Sequence, residues 1–241
     1  DKIRTIVDQT GLALIEDNAH GLLGSYKGRS LGTFGVMATQ SFHETKNLTC
    51  GKGGALLLND ADLIERANVI RDKGTNRAQF FEGLVDKYTW IGLGSSYKPS
   101  DLLAAYLLCQ LEARTLIQRK RKDIWQRYQE GLIDWARAEG VQQPVVPQYV
   151  QQPFHMYYLL LPTAEHRSRF IAFLKNRDIQ AVFHYAPLNV SSMGKSLGAE
   201  PDDCPVAEDV SSRLVRLPFF TGLSEADQDT VVCAVKEYRC G

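Results

Sequence analysis

Asp17 to Lys46 reads D-N-A-H-G-L-L-G-S-Y-K-G-R-S-L-G-T-F-G-V-M-A-T-Q-S-F-H-E-T-K, and this stretch decides the fold. Before it, the apolar run Leu12–Ile15 closes on Glu16-Asp17, the pattern of a buried parallel strand with polar residues at its C-terminal end. Glycines at 21, 24, 28, 32 and 35 then mark turns, and Val36–Phe42 leads into Ser41-Phe42-His43-Glu44-Thr45-Lys46. Open α/β sheets place ligands at such strand ends. A lysine in a Gly-lined turn, with an aspartate brought alongside by strand pairing, suits a cofactor that bonds covalently to an amine and needs a carboxylate at a ring nitrogen.

Outward from this stretch, the N-terminal side is one amphipathic helix, Asp1–Gln9, with Gly11 as its stop. On the C-terminal side, Gly51-Lys52-Gly53-Gly54 precedes the apolar run Ala55–Leu58, and Ala61–Arg71 carries helical spacing. Asp72–Pro99 has no clear period and reads as a long functional or interface loop. Ser100 is a good N-cap for a long helix running to about Trp135, past the basic run Arg119–Lys122, which reads as a solvated helix face. Pro144, Pro147 and Pro153 place a domain boundary after residue 140. The expected domains are therefore 1–140 and 141–241. In the second, Phe154–Leu161 and Ala181–Tyr185 read as strands, and Glu165–Asp178, Val206–Leu217 and Ser224–Tyr238 as helices. Tyr157, Tyr158, Phe170 and Phe173 read as core. The alternation points to an α/β or α+β architecture.

Composition narrows the function. The 241 residues hold 28 Lys plus Arg against 28 Asp plus Glu, and 44% are hydrophobic, so no net field favours nucleic acid or anionic lipid. A small molecule or another subunit is the expected partner. No apolar stretch approaches the ~18 residues of a membrane span, and no export signal pattern begins the chain, so a cytoplasmic protein is expected. The 5 cysteines form no C-x-x-C pair, which fits a reducing compartment better than a disulfide framework or a zinc site. His20, His43 and Glu44 lack metal-ligand spacing, so no metal is expected. Gly51–Gly54 does not meet the P-loop pattern.

The segments E-D-N-A-H-G, S-Y-K-G-R-x-L-G-T-F-G, S-F-H-E-T-K-N, G-K-G-G-A and R-D-K-G-T-N-R resemble the DegT/StrS-type sugar-nucleotide aminotransferases. F-F-x-G-x-V-D-K-Y-T-W and G-S-S-Y-x-x-S-D resemble the branch that makes dTDP-4-amino-4,6-dideoxygalactose. The resemblance runs through V-F-H-Y-x-P-L and R-L-P-F-F near the C-terminus. It implies an α/β, fold type I enzyme dependent on pyridoxal 5'-phosphate, homodimeric, with active sites at the dimer interface. By the same resemblance Lys46 matches the lysine that links covalently to the cofactor and then moves the proton between donor and cofactor carbons. Asp17 matches the carboxylate that pairs with the pyridinium nitrogen. His20 matches a ring contact and Ser41 a phosphate ligand. His184, Tyr185 and Asn189 are the candidates for holding the sugar substrate, with closing the small domain's strand as the other reading of His184-Tyr185.

The implied reaction moves an amino group from L-glutamate to a dTDP-4-keto-6-deoxyhexose, leaving 2-oxoglutarate, for a surface polysaccharide such as lipopolysaccharide or enterobacterial common antigen. A related dehydratase reading meets a lysine, Lys46, where that enzyme has histidine. Three departures stand out. The family's N-terminal segment, with its phosphate-cradling turn, does not appear here, which leaves a non-catalytic fragment or sugar-nucleotide-binding module as the alternative. Lys98 stands where many members send an asparagine to the neighbouring subunit's phosphate, and would meet that phosphate as a point charge. Lys52 replaces a common glutamate, and Asn189 a common histidine.

Overall fold

The structure is a computed structural model that describes residues 1–241. It divides into two compact units: residues 1–115 with 147–153, and residues 116–146 with 154–241. This differs from the division expected at residue 140. The helices before that point bury their apolar stripe in the second unit, and residues 147–153 return to the first.

In the first unit, α1 (Lys2–Thr10) stops at Gly11, whose φ of 68° lies in the left-handed region that glycine enters without steric cost. The central sheet has the order β1 (Ile15–Asp17), β4 (Met37–Ser41), β5 (Gly54–Leu58), with β1 parallel and β5 antiparallel to β4. The strand expected at Leu12–Ile15 is shifted toward Asp17, and Leu12 and Ile15 remain 66% and 57% exposed. Leu12 precedes the strand, and Ile15 shares the exposed face of the sheet with Asp17. A second small sheet pairs β2 (Ser25–Tyr26) with β3 (Arg29–Ser30) and with β6 (Val150–Gln151), all antiparallel.

Beyond β5 the expected helix is a 3-10 turn at Ala61–Leu63 followed by α2 (Ile64–Arg71), begun by the Asp60 carboxylate accepting the Asp62 N–H. The aperiodic 72–99 segment contains one short helix, α3 (Arg77–Phe81), and is stitched at its base by bridges Asp72 to Ser96 and Thr75 to Trp90. Ser100 caps α4 (Asp101–Glu112) through its Oγ. The single long helix expected to Trp135 is three: α4, α5 (Arg114–Gly131) and α6 (Ile133–Ala138), interrupted at Ala113 and Leu132.

The second unit packs α5, α6, α7 (Ala164–Lys175) and α10 (Glu225–Glu237) around the antiparallel sheet β7 (Tyr158–Leu160), β9 (Leu214–Arg216), β8 (Val182–Phe183). Thr163 and Ser224 cap α7 and α10 as their types favour. Tyr128, Tyr157, Phe170, Leu174 and Val235 are fully buried, with Tyr128 stacked on Tyr157 and Trp135 on Phe170. Tyr158 and Phe173 are only half-buried. The helix expected over Val206–Leu217 ends early: α9 (Pro205–Arg213) gives way to β9, whose Leu214 and Val215 pair as a strand and are buried, with Leu217 buried just after it. A short α8 (Ser192–Ser196) follows a 3-10 turn at Leu188–Val190. No helix is long and apolar enough to cross a membrane.

Candidate active site

The β1–β4 register pairs Ile15 with Met37, Glu16 with Ala38 and Asp17 with Thr39. Side chains alternate along a strand, so Asp17, Thr39 and Ser41 share one face, while Glu16, Ala38 and Gln40 share the reverse. On the reverse face Ala38, Gln40 and Phe42 are buried; on the first, Asp17 and Thr39 are exposed and Ser41 half-buried. Opposite Ser41 across β5 stands Gly54, which adds no side chain to the open face. The sheet therefore presents a carboxylate and two hydroxyls together at its open side.

Lys46 leaves the end of β4 through a turn in which its N–H donates to His43 O at 2.9 Å. His43 Nδ1 accepts the Thr45 N–H and lies 3.0 Å from Thr45 Oγ1, which tightens that turn. Lys46 is half-buried, and burial pushes its amine below the ordinary lysine range while the Asp17 charge pulls the other way. The two groups named from the sequence thus share one electrostatic field. Ser41 Oγ accepts the His43 N–H at 3.3 Å, which leaves its own O–H to donate elsewhere. Asp17 Oδ1 accepts the Ala19 N–H at 3.1 Å, opening the turn that carries His20, whose ring is exposed. Next to Lys46, the Asn47 amide donates to Pro153 O at 2.5 Å, so the returning segment 147–153 braces the lysine turn.

Lys98 is placed differently from Asp17, Ser41 and Lys46. Its Nζ lies 2.6 Å from Asp72 Oδ2, a carboxylate only 12% exposed. That hydrogen bond holds Asp72 below the usual carboxylate range. In this arrangement Lys98 closes the base of the 72–99 segment, and contact with a phosphate would require it to leave Asp72.

The remaining candidates lie in the second unit. His184 Nδ1 is buried without a hydrogen-bond partner, and burial together with the Arg216 charge pushes the imidazole down. Arg216 reaches over the exposed Tyr185 ring at 5.9 Å. Asn189 donates from Nδ2 to Glu208 Oε1 at 2.6 Å and to Glu200 O at 3.3 Å, while its Oδ1 is unpartnered. Glu208 also accepts the Asp202 and Cys204 N–H groups, so Asn189 belongs to a tie that shapes the 188–204 segment.

Sequence reading missed Glu16, Thr39 and Asp72 in the first unit and Arg121 in the second. Period-2 alternation flags Thr39 once Asp17 and Ser41 are chosen. Arg121 is a correction to the solvated basic run: it is 5% exposed, its Nε and Nη2 donating to Phe154 O and His155 O at 2.8 and 2.5 Å, with the Phe219 ring 4.8 Å away.

With this geometry in hand, the profile of the DegT/DnrJ/EryC1/StrS aminotransferase family matches residues 1–236. The chain belongs to that family. It is 30% identical to the uncharacterized protein MJ1066 of Methanocaldococcus jannaschii over 98% of its own length and 62% of that protein. With the spore coat polysaccharide biosynthesis protein SpsC of Bacillus subtilis it shares 29% identity over 98% of this chain and 62% of the relative. The crystal structure of the aminotransferase TlmJ from Streptoalloteichus hindustanus superposes with a TM-score of 0.85 at 27% identity, over 98% of this chain and 60% of that one. The α/β architecture is therefore that of the type I aminotransferases of the DegT/DnrJ/EryC1/StrS family. The chain spans 60–62% of the length of these relatives.

Proposed function

We propose that this chain carries the lysine-bearing part of a pyridoxal phosphate-dependent sugar-nucleotide aminotransferase. In this reading it moves an amino group from L-glutamate to a dTDP-4-keto-6-deoxyhexose, with dTDP-4-amino-4,6-dideoxygalactose and 2-oxoglutarate as products. The observation that carries it is the open face on which Asp17 and Ser41 lie together, beside an amine, Lys46, that burial biases toward its neutral form. The branch-specific motifs at Phe80–Trp90 and Gly94–Asp101 support the sugar assignment, and the name of SpsC supports a role in polysaccharide synthesis.

The residues present fit the cofactor's donor set: an amine for its aldehyde, a carboxylate for its ring nitrogen and a hydroxyl for its phosphate. When bound, pyridoxal phosphate supplies an electron sink for the bond broken at the donor's α carbon. Lys46 Nζ, neutral at lower pH than a solvated lysine, is the nucleophile and afterwards the group that takes up and returns the proton. Asp17 would pair with the cofactor's ring nitrogen and favour its protonated form. The Ser41 hydroxyl donates toward the phosphate, its acceptor side already engaged by His43 N–H. His20 offers a ring contact, and His184, Tyr185 and Asn189 the sugar-facing groups. A homodimer, in which Lys98 would exchange Asp72 for a phosphate of the neighbouring subunit, completes the reading.

The test is to add pyridoxal phosphate to the chain and to Lys46→Ala, fix the covalent link with borohydride, and locate it by peptide mass. The expected result is a visible absorption band and a label on Lys46 in the parent, both missing from the variant. No label in the parent, or a label confined to other lysines, sinks the reading.

A further inference from the structure

Glu16 stands beside Asp17 on β1 but points to the reverse face of the sheet. Its Oε1 accepts the Gly32 N–H at 2.8 Å, and its Oε2 accepts the N–H groups of Phe34 and Gly35 at 2.6 and 2.9 Å. Hydrogen bonds to a carboxylate are roughly twice as strong as neutral ones, so this one side chain gathers Gly32, Phe34 and Gly35 of the turn before β4. From the other side, Asn59 Nδ2 donates to Gly32 O and Gly35 O at 3.0 and 2.9 Å. Both peptide faces of the loop are thereby held.

The backbone here admits no substitute geometry. Gly32 has φ of 87°, and a Cβ on Gly35 would lie 2.2 Å from Leu14 O. Directly after the loop, the Val36 N–H donates to Leu14 O at 2.9 Å and the chain enters β4. The clamp thus joins the strand that carries Asp17 to the segment that feeds Ser41 and Lys46. A slip of one residue between β1 and β4 would turn Asp17 away from the face of Ser41.

We propose that Glu16 is a positioning residue: its carboxylate fixes the β1–β4 register and so holds the Asp17 carboxylate in place beside the Lys46 amine. Glu16 itself touches neither cofactor nor substrate. The inference rests on the reading of Lys46 and Asp17 as a working pair.

The experiment needs no cofactor. Acetic anhydride labelling of Lys46 across pH, read by peptide mass, gives the midpoint of its titration in the full chain. Asp17→Asn removes the charge that supports the ammonium and shifts the midpoint down. Glu16→Gln, which leaves a single acceptor atom facing three donors, is expected to reproduce at least half of that shift. Val69→Ala, a buried change in α2, is the control for lost stability and leaves the midpoint where it was. Should Glu16→Gln fail to fold, Asn59→Ala releases the other side of the same loop and is judged by the same criterion. An unchanged or raised midpoint in the clamp variant, with Asp17→Asn shifted, overturns the positioning role alone. A shift of equal size in Val69→Ala also overturns it. No shift in Asp17→Asn overturns the pair, and the inference with it.

Discussion

His184 enters the folded chain with its imidazole pushed below the ordinary histidine range by burial and by Arg216. A histidine so depressed stays neutral in the fold while the unfolded chain protonates it below about pH 6.5. Protons then favour the unfolded state, so this group withdraws stability as pH falls through that value. We expect the melting temperature to drop between pH 7 and pH 5, and the drop to be smaller in His184→Gln. An equal acid limb in the variant would falsify the assignment. Elsewhere at this scale, legibility followed chemistry. Asp17 and Lys46 could be chosen because their types suit one task, Ser41 came from the resemblance, and the strand register then set Asp17 and Ser41 on one face. The resemblance aimed Lys98 at a phosphate, and nothing local in the sequence marks its pairing with Asp72, 26 residues away. Glu16 escaped notice for the same reason: its three donors lie in a loop whose path no spacing rule describes.

Among the elements, α5 shows how a charge can hide a stripe. Its buried positions Ile117, Arg121, Ile124, Trp125 and Tyr128 follow helical spacing, and Arg121 sits on that stripe with its charge shielded by carbonyls, not by a carboxylate. Burial pushes its guanidinium down to about 10. Arg121→Met keeps the apolar stem but leaves the Phe154 and His155 carbonyls without their donor, at an expected cost of about 2–4 kcal/mol in urea unfolding. Arg121→Lys, which retains one donor head, is expected to lose less. The starts of α4 and α10 were legible at their capping serines, Ser100 and Ser224, whereas α8, capped in the same way by Ser191, was not. Nor was the 206–217 stretch, because so short a segment as Leu214-Val215-Arg216-Leu217 fits a helix end or a strand equally well. Tertiary pairing with Tyr158–Leu160 made it a strand.

For the molecule as a whole, two compact units replace the simple front and back halves suggested by the Pro-marked stretch. Phe170 has no exposed surface and packs on Trp135 and Tyr238 at the middle of the second unit's core. Phe170→Ala is expected to destabilise that unit by about 3–5 kcal/mol, followed through the fluorescence of Trp125 and Trp135. The prolines did mark a crossing of the chain between units. What they could not show is that residues 147–153 cross back, since the partners of Val150 and Gln151 are Tyr26 and Ser25, far upstream.

That return has a consequence for how the polypeptide is made. A ribosome delivers residues in order, and domains generally fold as they emerge. Here the first unit cannot close its small sheet, or brace the turn beside Lys46 through Asn47 and Pro153, until α5 and α6 have left the exit tunnel. Those helices meanwhile wait for β7, β8 and β9, which are still to be synthesised. The lysine turn is therefore among the last features of its own unit to be secured, although it is encoded 106 residues before the proline that braces it.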